Sequence, residues 1–215
     1  EELRWLLVRS TIAIILMGAV AFFLSDYVFD TIIFGPTHPD FITYRFFCEL
    51  SHYVGFKDSI CVESFSFIIQ NTSMEGQVNI LVWICITAGF ILAFPYILYL
   101  LWRFISPALY EKERKNAKLF IFLASLLFFL GVLFGYFVVI PMSVNFFATF
   151  KVSEVVKNQF SLDSYIGLIK TSVIASGLFF EMPIIIYFLT KLGLVTPQFL
   201  RKYWKYAVVI ILIVS

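Results

Sequence analysis

A single acidic residue, Glu181, lies inside the otherwise uncharged apolar stretch between Lys170 and Lys191. Ten residues of helix separate it from Lys191, or about 15 Å, which places the carboxyl well inside the hydrocarbon of a bilayer. An acid at that depth costs about 2.5–3.5 kcal/mol on insertion scales, so it needs a polar partner or must stay protonated. Three roles remain open: a structural hydrogen bond within a bundle, contact with a partner helix, and a proton relay.

A second group of acids lies where basic residues would be expected. Glu111 and Glu113 lie among the Lys and Arg residues of segment 103–115, and Glu1 and Glu2 begin the chain. Carboxylates gathered at one membrane face favour recognition of a basic peptide, because a guanidinium group binds a carboxylate through two hydrogen bonds. The alternative is a set of solvated acids at a helix start, which the helix dipole favours.

The cysteines suggest a covalent link. Cys48 and Cys61 share one loop, whereas Cys85 lies in an apolar stretch. If that loop faces an oxidising compartment, we expect the two cysteines to form a disulfide bond. Closing a loop of about 15 residues contributes about 3 kcal/mol. Two free buried thiols are the alternative.

No catalytic or nucleotide-binding motif is present in the sequence. The phosphate-binding patterns G-x-x-x-x-G-K-[ST] and G-x-G-x-x-G are absent, as are H-E-x-x-H and G-x-S-x-G. The two histidines, His38 and His52, share the loop of the cysteine pair and are interpreted as surface residues. We therefore expect a protein that is not an enzyme and that needs no cofactor and no metal.

These residues are carried by a strongly apolar chain. Of its 215 residues, 61% are hydrophobic and only 14% are charged. An average soluble domain has about 45–50% apolar and about 25% charged residues. With a mean hydropathy of +0.93, the composition predicts an all-α, polytopic membrane helix bundle. The net charge of +2 excludes the basic footprint of a nucleic-acid-binding protein.

Uncharged stretches predict five membrane spans. They cover about residues 5–24, 78–101, 119–140, 165–190 and 206–215. Pro141 predicts the end of the third span, because proline often follows a helix terminus. The fifth span reaches only Ser215, so we expect the native chain to continue with further helix. Gly131 and Gly135 form a G-x-x-x-G motif, which favours close packing within the bundle over dimerisation.

The distribution of Lys and Arg predicts a cytoplasmic N-terminus. Eleven of these residues then lie inside and five outside. The outer loop, residues 25–77, is expected to fold back over the bundle as short helices, and residues 102–118 and 191–205 form cytoplasmic loops. Pro95 and Pro183 lie inside spans and predict kinked helices and a concave bundle.

Three motifs resemble the C subunit of the twin-arginine translocase (TatC). Glu2-Leu3-Arg4 resembles the end of the family's His-Leu-x-Glu-Leu-Arg motif, which precedes the first span. Residues 102–110 followed by Glu113-Arg114 resemble its first cytoplasmic loop, and residues 180–183, Phe-Glu-Met-Pro, resemble its fourth helix. The resemblance covers residues 1–215 as a single domain. It implies a cupped bundle of six helices, of which about five lie in this chain.

The resemblance also implies a function. It implies the core subunit of a translocase that exports folded proteins across the bacterial inner membrane with the proton-motive force. Glu2 and Glu113 would bind twin-arginine signal peptides. The other residues of the matching motifs implied at this site are Arg4, Phe104, Leu109, Tyr110 and Arg114. Glu181 would contact single-span partners of the TatA and TatB type, and self-association in a larger complex is expected.

A proton-coupled small-molecule transporter with Glu181 as its carrier is the alternative function. Such transporters are commonly built from two halves with matching broken helices, and no second half is visible in the sequence. An intramembrane enzyme ranks last, because Glu181 is the only acid within the spans and catalysis there needs paired groups.

Overall fold

The computed structural model describes residues 2–54, 68–106, 117–150 and 159–191. Within these ranges, four helices are long and apolar enough to cross a membrane: Glu2–Phe23, Gly76–Ile105, Leu119–Thr149 and Leu162–Thr190. The predicted all-α, polytopic membrane class is therefore confirmed. The predicted fifth span, and the second cytoplasmic loop beyond Lys191, lie outside the described residues.

The order of elements follows the alternation of apolar spans and polar loops. The α-helices of the described ranges are α1 (Glu2–Phe23), α2 (Ser25–Tyr27), α3 (Ile42–Val54), α4 (Gly76–Ile105), α5 (Ala117–Phe134), α6 (Ile140–Thr149) and α7 (Leu162–Lys191). The other elements are two π-helical segments (Val28–Ile33 and Gly135–Val139), a 3₁₀ turn (Gly35–Thr37), β1 (Ile68–Gln70) and β2 (Gln159–Ser161). Both α4 and α7 extend a few residues beyond the predicted spans.

Helices α1 and α4 pack closely because glycines face each other where they cross. A Cβ atom at Gly89 would lie 2.5 Å from the carbonyl oxygen of Ile14 and 2.7 Å from the backbone nitrogen of Gly18. A Cβ atom at Gly18 would in turn lie 3.1 Å from the carbonyl oxygen of Cys85. Small residues drive association of apolar helices because they bring the backbones into van der Waals contact. This contact positions the N-terminus of α1 beside the C-terminal end of α4.

The G-x-x-x-G motif of α5 packs against α7 in the same chain. A Cβ atom at Gly131 would lie 2.6 Å from the carbonyl oxygen of Ser176, and one at Gly135 would lie 2.8 Å from that of Ser172. Internal packing of this motif was the favoured prediction, and it is confirmed. Phe128, one turn before Gly131 in α5, stacks on Phe94 of α4 with ring centroids 3.5 Å apart, so α5 joins α4 to α7.

Pro141 predicted that the third helix ends at Ile140, but the helix does not end there. The helix continues through Pro141 to Thr149. The π-helical segment Gly135–Val139 precedes the proline, which then occupies the first turn of α6. Proline has no backbone N–H to donate to the preceding turn, and the change from π-helical to α-helical bonding occurs directly before it. The helix that contains the predicted span 119–140 therefore extends nine residues further, to Thr149.

Three tyrosine hydroxyls connect the segment that follows α1 to the long helices. Tyr165 donates to the carbonyl oxygen of Ile33 at 2.6 Å, and Tyr136 donates to that of Ile32 at 2.7 Å. Tyr44 of α3 lies within reach of the carbonyl oxygens of Pro36, at 2.9 Å, and Pro141, at 3.3 Å. Burial raises the pKa of the Tyr44 hydroxyl above its ordinary value, which keeps it a donor. Residues 25–54 therefore fold against the long helices as short helical segments.

A two-stranded parallel sheet is the one described exception to the all-helical architecture. Strand β1 belongs to the first outer loop and β2 immediately precedes α7, and Ile69 pairs with Phe160. Both segments lie outside the predicted spans. Strands of three residues give too short a pattern of alternation to be recognised.

Candidate functional site

The start of α1 and the end of α4 enclose a cavity of about 250 Å³ at one end of the bundle. Its lining residues are Glu2, Trp5, Leu6, Arg9, Leu100, Arg103 and Phe104. Glu2 and Phe104, which belong to two separate motifs, therefore share one cavity. The Gly18–Gly89 crossing is what holds the two helix ends side by side.

The cavity combines one carboxylate with two guanidinium groups. Glu2 and Arg103 are exposed to solvent. Arg9 lies over the indole ring of Trp5, with its guanidinium carbon 5.5 Å from the ring centroid. Such a cation–π contact contributes about 0.5–1 kcal/mol at an exposed position. Arg103 lies in the last turn of α4, where the helix dipole favours a positive charge.

The other predicted binding residues either do not line this cavity or lie outside the described residues. Arg4 is exposed and does not line the cavity. Leu109, Tyr110, Glu113 and Arg114 lie outside the described residues, in the segment that connects Ser106 to Ala117. Five lining residues were not predicted as site residues: Trp5, Leu6, Arg9, Leu100 and Arg103. The available signal was the i, i+4 spacing of Trp5 and Arg9, which places both side chains on one helix face.

Glu181 is buried, with only 3% of its surface exposed. Its Oε1 atom makes no hydrogen bond within the described part of the chain. Glu181 is one of the lining residues of a second, partly open cavity of about 140 Å³ between α4, α5 and α7. The other lining residues are Leu98, Leu101, Trp102, Ile105, Phe120, Ile121, Ala124, Ile184, Ile185, Phe188 and Leu189. Glu181 therefore faces the interior of the bundle.

Three aromatic rings line the same cavity, one from each helix. The centroids of Trp102 and Phe120 lie 4.7 Å apart, and Phe188 lies 5.9 Å from Trp102 and 5.8 Å from Phe120. These separations are within the range of favourable aromatic pairs. The sequence analysis did not group these rings, because their meeting depends on how α4, α5 and α7 are rotated.

The cysteines of the described residues differ in state. Cys48 is disulfide-bonded, whereas Cys85 is a free thiol. Cys61, the predicted partner of Cys48, lies outside the described residues. Bonding of Cys48 to Cys61 therefore stays a prediction.

Comparison with known proteins gives matches along the whole chain. A sequence model described as TatC, Sec-independent protein translocase protein, matches residues 1–215. The Sec-independent protein translocase protein TatC of Blattabacterium sp. subsp. Periplaneta americana (strain BPLAN) is 44% identical, and the alignment covers 100% of this chain and 81% of that protein. The protein of the same name from Aquifex aeolicus (strain VF5) is 33% identical, with coverage of 100% and 80%.

A solved structure has the same fold. A crystal structure of the twin arginine translocase receptor TatC superimposes with a TM-score of 0.75 at 33% sequence identity. The superposition covers 97% of this chain and 82% of that one.

Proposed function

Because the chain belongs to the TatC family of Sec-independent protein translocase proteins, and is thus a multi-pass membrane component of that translocase, we propose that it binds twin-arginine signal peptides. The proposed binding surface is the cavity between α1 and α4, together with the segment that follows Ser106. No chemical step is required of it, because recognition needs carboxylate acceptors and apolar surface alone.

One observation carries this proposal. Glu2 and Phe104 lie about a hundred residues apart in sequence, in two motifs that were singled out independently, and they line the same cavity. Trp5, Leu6 and Leu100 supply apolar surface next to the carboxylate. A signal peptide presents the complementary combination, with positively charged arginines beside an apolar segment.

The charge of the cavity indicates that Glu2 does not act alone. With one carboxylate and two guanidinium groups, the lining carries a formal charge of +1, and a twin-arginine peptide adds two more positive charges. Additional acids are therefore needed to balance the positive charge of the lining and of the peptide. Glu113 follows Ser106 by seven residues, so its Cα lies within about 25 Å of that of Ser106. We propose that Glu113 provides the second carboxylate, and that Leu109, Tyr110 and Arg114 belong to the same surface.

We further propose that the N-terminus lies in the cytoplasm and that the protein resides in the bacterial inner membrane. Arg4, Arg9 and Arg103 lie at the end of the bundle that carries the cavity, whereas Arg45 lies in the cap at the other end. An excess of arginine at one face marks the cytoplasmic side. Signal peptides would then reach the cavity directly from the compartment where precursors are made.

The energy for transport is proposed to come from the proton-motive force and from assembly with partners. The sequence carries no nucleotide-binding motif. Single-span proteins of the TatA and TatB type are the proposed partners, and self-association into a larger complex is proposed as well. In this scheme the chain is the receptor and core of a translocase for folded proteins.

Crosslinking can test the position of the peptide. A photoreactive phenylalanine analogue at Phe104, which is 39% exposed, is expected to label a bound twin-arginine precursor. The same analogue at Phe46, which is 60% exposed in the outer cap, provides the matched control. Excess twin-arginine peptide should abolish labelling at position 104. Equal labelling at both positions, or labelling at 46 alone, would contradict the proposed surface.

We propose a second contact surface at Glu181 for a partner helix. The cavity beside Glu181 has room for a side chain but not for a helix, so the partner would contribute one polar side chain that reaches the carboxyl. Hydrogen bonds between membrane helices average about 0.6 kcal/mol, with about 1.7 kcal/mol as the upper end. A contact of this strength is reversible, which suits assembly during transport.

Substitution of Glu181 is expected to separate assembly from folding. Glu181→Ala should impair crosslinking to partners and export, while folding and signal-peptide binding remain nearly intact. Glu181→Gln, which keeps hydrogen-bonding capacity, should be milder. If Gln is as defective as Ala, titration of the carboxyl matters and a proton relay is favoured instead. Normal crosslinking and export in both variants would show that Glu181 has a structural role alone.

A further inference from the structure

We propose that Lys170 and Trp83 bind the phosphate group of a phospholipid at the surface between α4 and α7. This surface, the α4–α7 lipid surface, consists of Trp83 and Ile86 of α4 and of Gly167, Lys170 and Ile174 of α7. It lies toward the end of the bundle at which both helices begin. None of its residues lines the α1–α4 cavity or the α4–α5–α7 cavity, so the inference does not rest on the proposed function.

Lys170 is a partly exposed cation inside the fourth long apolar helix. Its ammonium nitrogen lies 4.9 Å from the centroid of the Trp83 ring. Within the described residues, no carboxylate forms an ion pair with it. Asp163, the nearest acid along α7, lies about 10 Å away along the helix axis. An ionised group in hydrocarbon is costly, so this ammonium is expected to take an anion as its partner.

The depth of Lys170 brings lipid headgroups within its reach. The helix Leu162–Thr190 has 29 residues and is about 43 Å long, whereas the hydrocarbon of a bilayer is about 30 Å thick. With the excess divided between the two ends, the Cα atom of Lys170 lies about 5 Å inside the hydrocarbon. A lysine side chain at this depth extends to the interface.

The direction of the two helices favours the same contact. Ile80 and Ile84, near the start of α4, share one cluster with Tyr165 and Ile166, near the start of α7, so the two helices begin at the same end. Side chains of a helix lean toward its N-terminus. Those of α4 and α7 therefore lean toward the headgroups of the same leaflet.

The surface around Lys170 has space for a headgroup on one side and apolar contacts for an acyl chain on the other. A Cβ atom at Gly167, one turn toward the start of α7, would meet nothing within 4 Å. One turn toward the bilayer centre, the exposed Ile86 continues the surface from Trp83, and the partly exposed Ile174 continues it from Lys170. A phospholipid presents its phosphate and its acyl chains in this order.

A lipid phosphate fits the α4–α7 lipid surface better than an acid on a partner helix does. A carboxylate that another helix carried to this depth would itself have to leave water. Phospholipid phosphates already lie at the boundary of the hydrocarbon, and a lysine ammonium binds phosphate as a point charge. We therefore expect the occupant to be a lipid of the surrounding bilayer.

Native mass spectrometry of the purified chain, titrated with lipid in detergent, tests the phosphate contact. Phosphatidylethanolamine and a diacylglycerol with the same acyl chains differ in the phosphate headgroup. Wild type is expected to bind the phospholipid about 10-fold more tightly than the diacylglycerol, because a hydrogen bond to a charged group contributes at least this much. Inorganic phosphate in excess should not displace the lipid, because it lacks the acyl chains.

Four variants test whether Lys170 and Trp83 hold the phosphate. Lys170→Met, which nearly keeps the length and removes the charge, should bind both lipids equally, whereas Lys170→Arg should keep the preference. Trp83→Leu should weaken binding of the phospholipid about 2- to 5-fold, the contribution of one cation–π contact. Arg45→Met removes a positive charge from an exposed position in α3 and is the matched control, which should bind as wild type does.

The proposal is overturned if wild type binds the two lipids equally, if Lys170→Met keeps the preference, or if Arg45→Met loses it to the same extent. Lost crosslinking to single-span partners in Lys170→Met, with the lipid preference unchanged, would assign the surface to an acidic partner helix instead. If Lys170→Met fails to fold, the two lipids compared on wild type and on Trp83→Leu still decide the question. A failure here leaves signal-peptide binding untouched, because neither residue lines the α1–α4 cavity.

Discussion

Replacing Gly89 with leucine is expected to prevent α1 from packing on α4 and to unfold the bundle at temperatures where wild type is stable. The new Cβ would lie 2.5 Å from the carbonyl oxygen of Ile14 and 3.0 Å from the Cα atom of Gly18. Both neighbours are backbone atoms, so no side-chain rotation relieves the clash. Overpacking of a well-packed interior typically costs about 1–3 kcal/mol, and a contact against backbone belongs at the upper end or beyond it.

Gly167 provides the matched control for this experiment. It lies in α7, and a Cβ atom there would meet nothing within 4 Å. Gly167→Leu should therefore leave thermal unfolding in detergent near that of wild type, while Gly89→Leu lowers the transition strongly or abolishes it. Since α1 carries Glu2, the Gly89 variant should also lose signal-peptide binding. Equal stability of the two variants would show that α1 and α4 are not held together at this crossing.

Neutralising the two proposed carboxylates is expected to cause the largest loss of signal-peptide affinity. A hydrogen bond to a charged group contributes about 1.5–3 kcal/mol, so Glu2→Gln and Glu113→Gln should each weaken binding about 10- to 100-fold. If the two carboxylates hold different arginines, the losses should combine additively in free energy. Each variant should also show a shallower dependence of affinity on salt, because one screened charge pair has been removed.

The control for these variants is Asp26→Asn, which removes an acid of α2, just beyond the opposite end of α1. Its peptide affinity should equal that of wild type when measured by fluorescence titration in nanodiscs. Wild-type affinity in both Glu2→Gln and Glu113→Gln would contradict the assignment of these carboxylates. A similar loss in Asp26→Asn would indicate a general effect of net charge.

Features that depend on local composition could be predicted from the sequence. Long uncharged apolar stretches identified the four described spans, and the spacing of Gly131 and Gly135 predicted a close helix contact within the chain. Pro141 misled the prediction, because a π-helical segment before it allowed the helix to continue. A change of helical hydrogen-bonding pattern depends on neighbouring packing and leaves no clear pattern in the sequence.

Features that depend on how helices are rotated against each other could not be predicted. Glu181 was placed within the fourth long apolar helix, but whether it faces lipid, a partner or the interior depends on the packing of α4, α5 and α7 around it. The cavity that joins Glu2 to Phe104 likewise depends on the crossing of α1 and α4. The hydrogen bonds from Tyr136 and Tyr165 to the outer loop link residues more than a hundred positions apart, which a single sequence does not reveal.

The most direct test of receptor function compares two peptides on the purified chain. A signal peptide with an Arg-Arg pair and the same peptide with a Lys-Lys pair carry equal charge, but only arginine offers the planar fork that binds a carboxylate through two hydrogen bonds. We expect saturable binding of the Arg-Arg peptide and an affinity for the Lys-Lys peptide lower by about tenfold or more. Equal affinity for the two peptides, or no saturable binding of either, would contradict the proposal that this chain is a twin-arginine signal-peptide receptor.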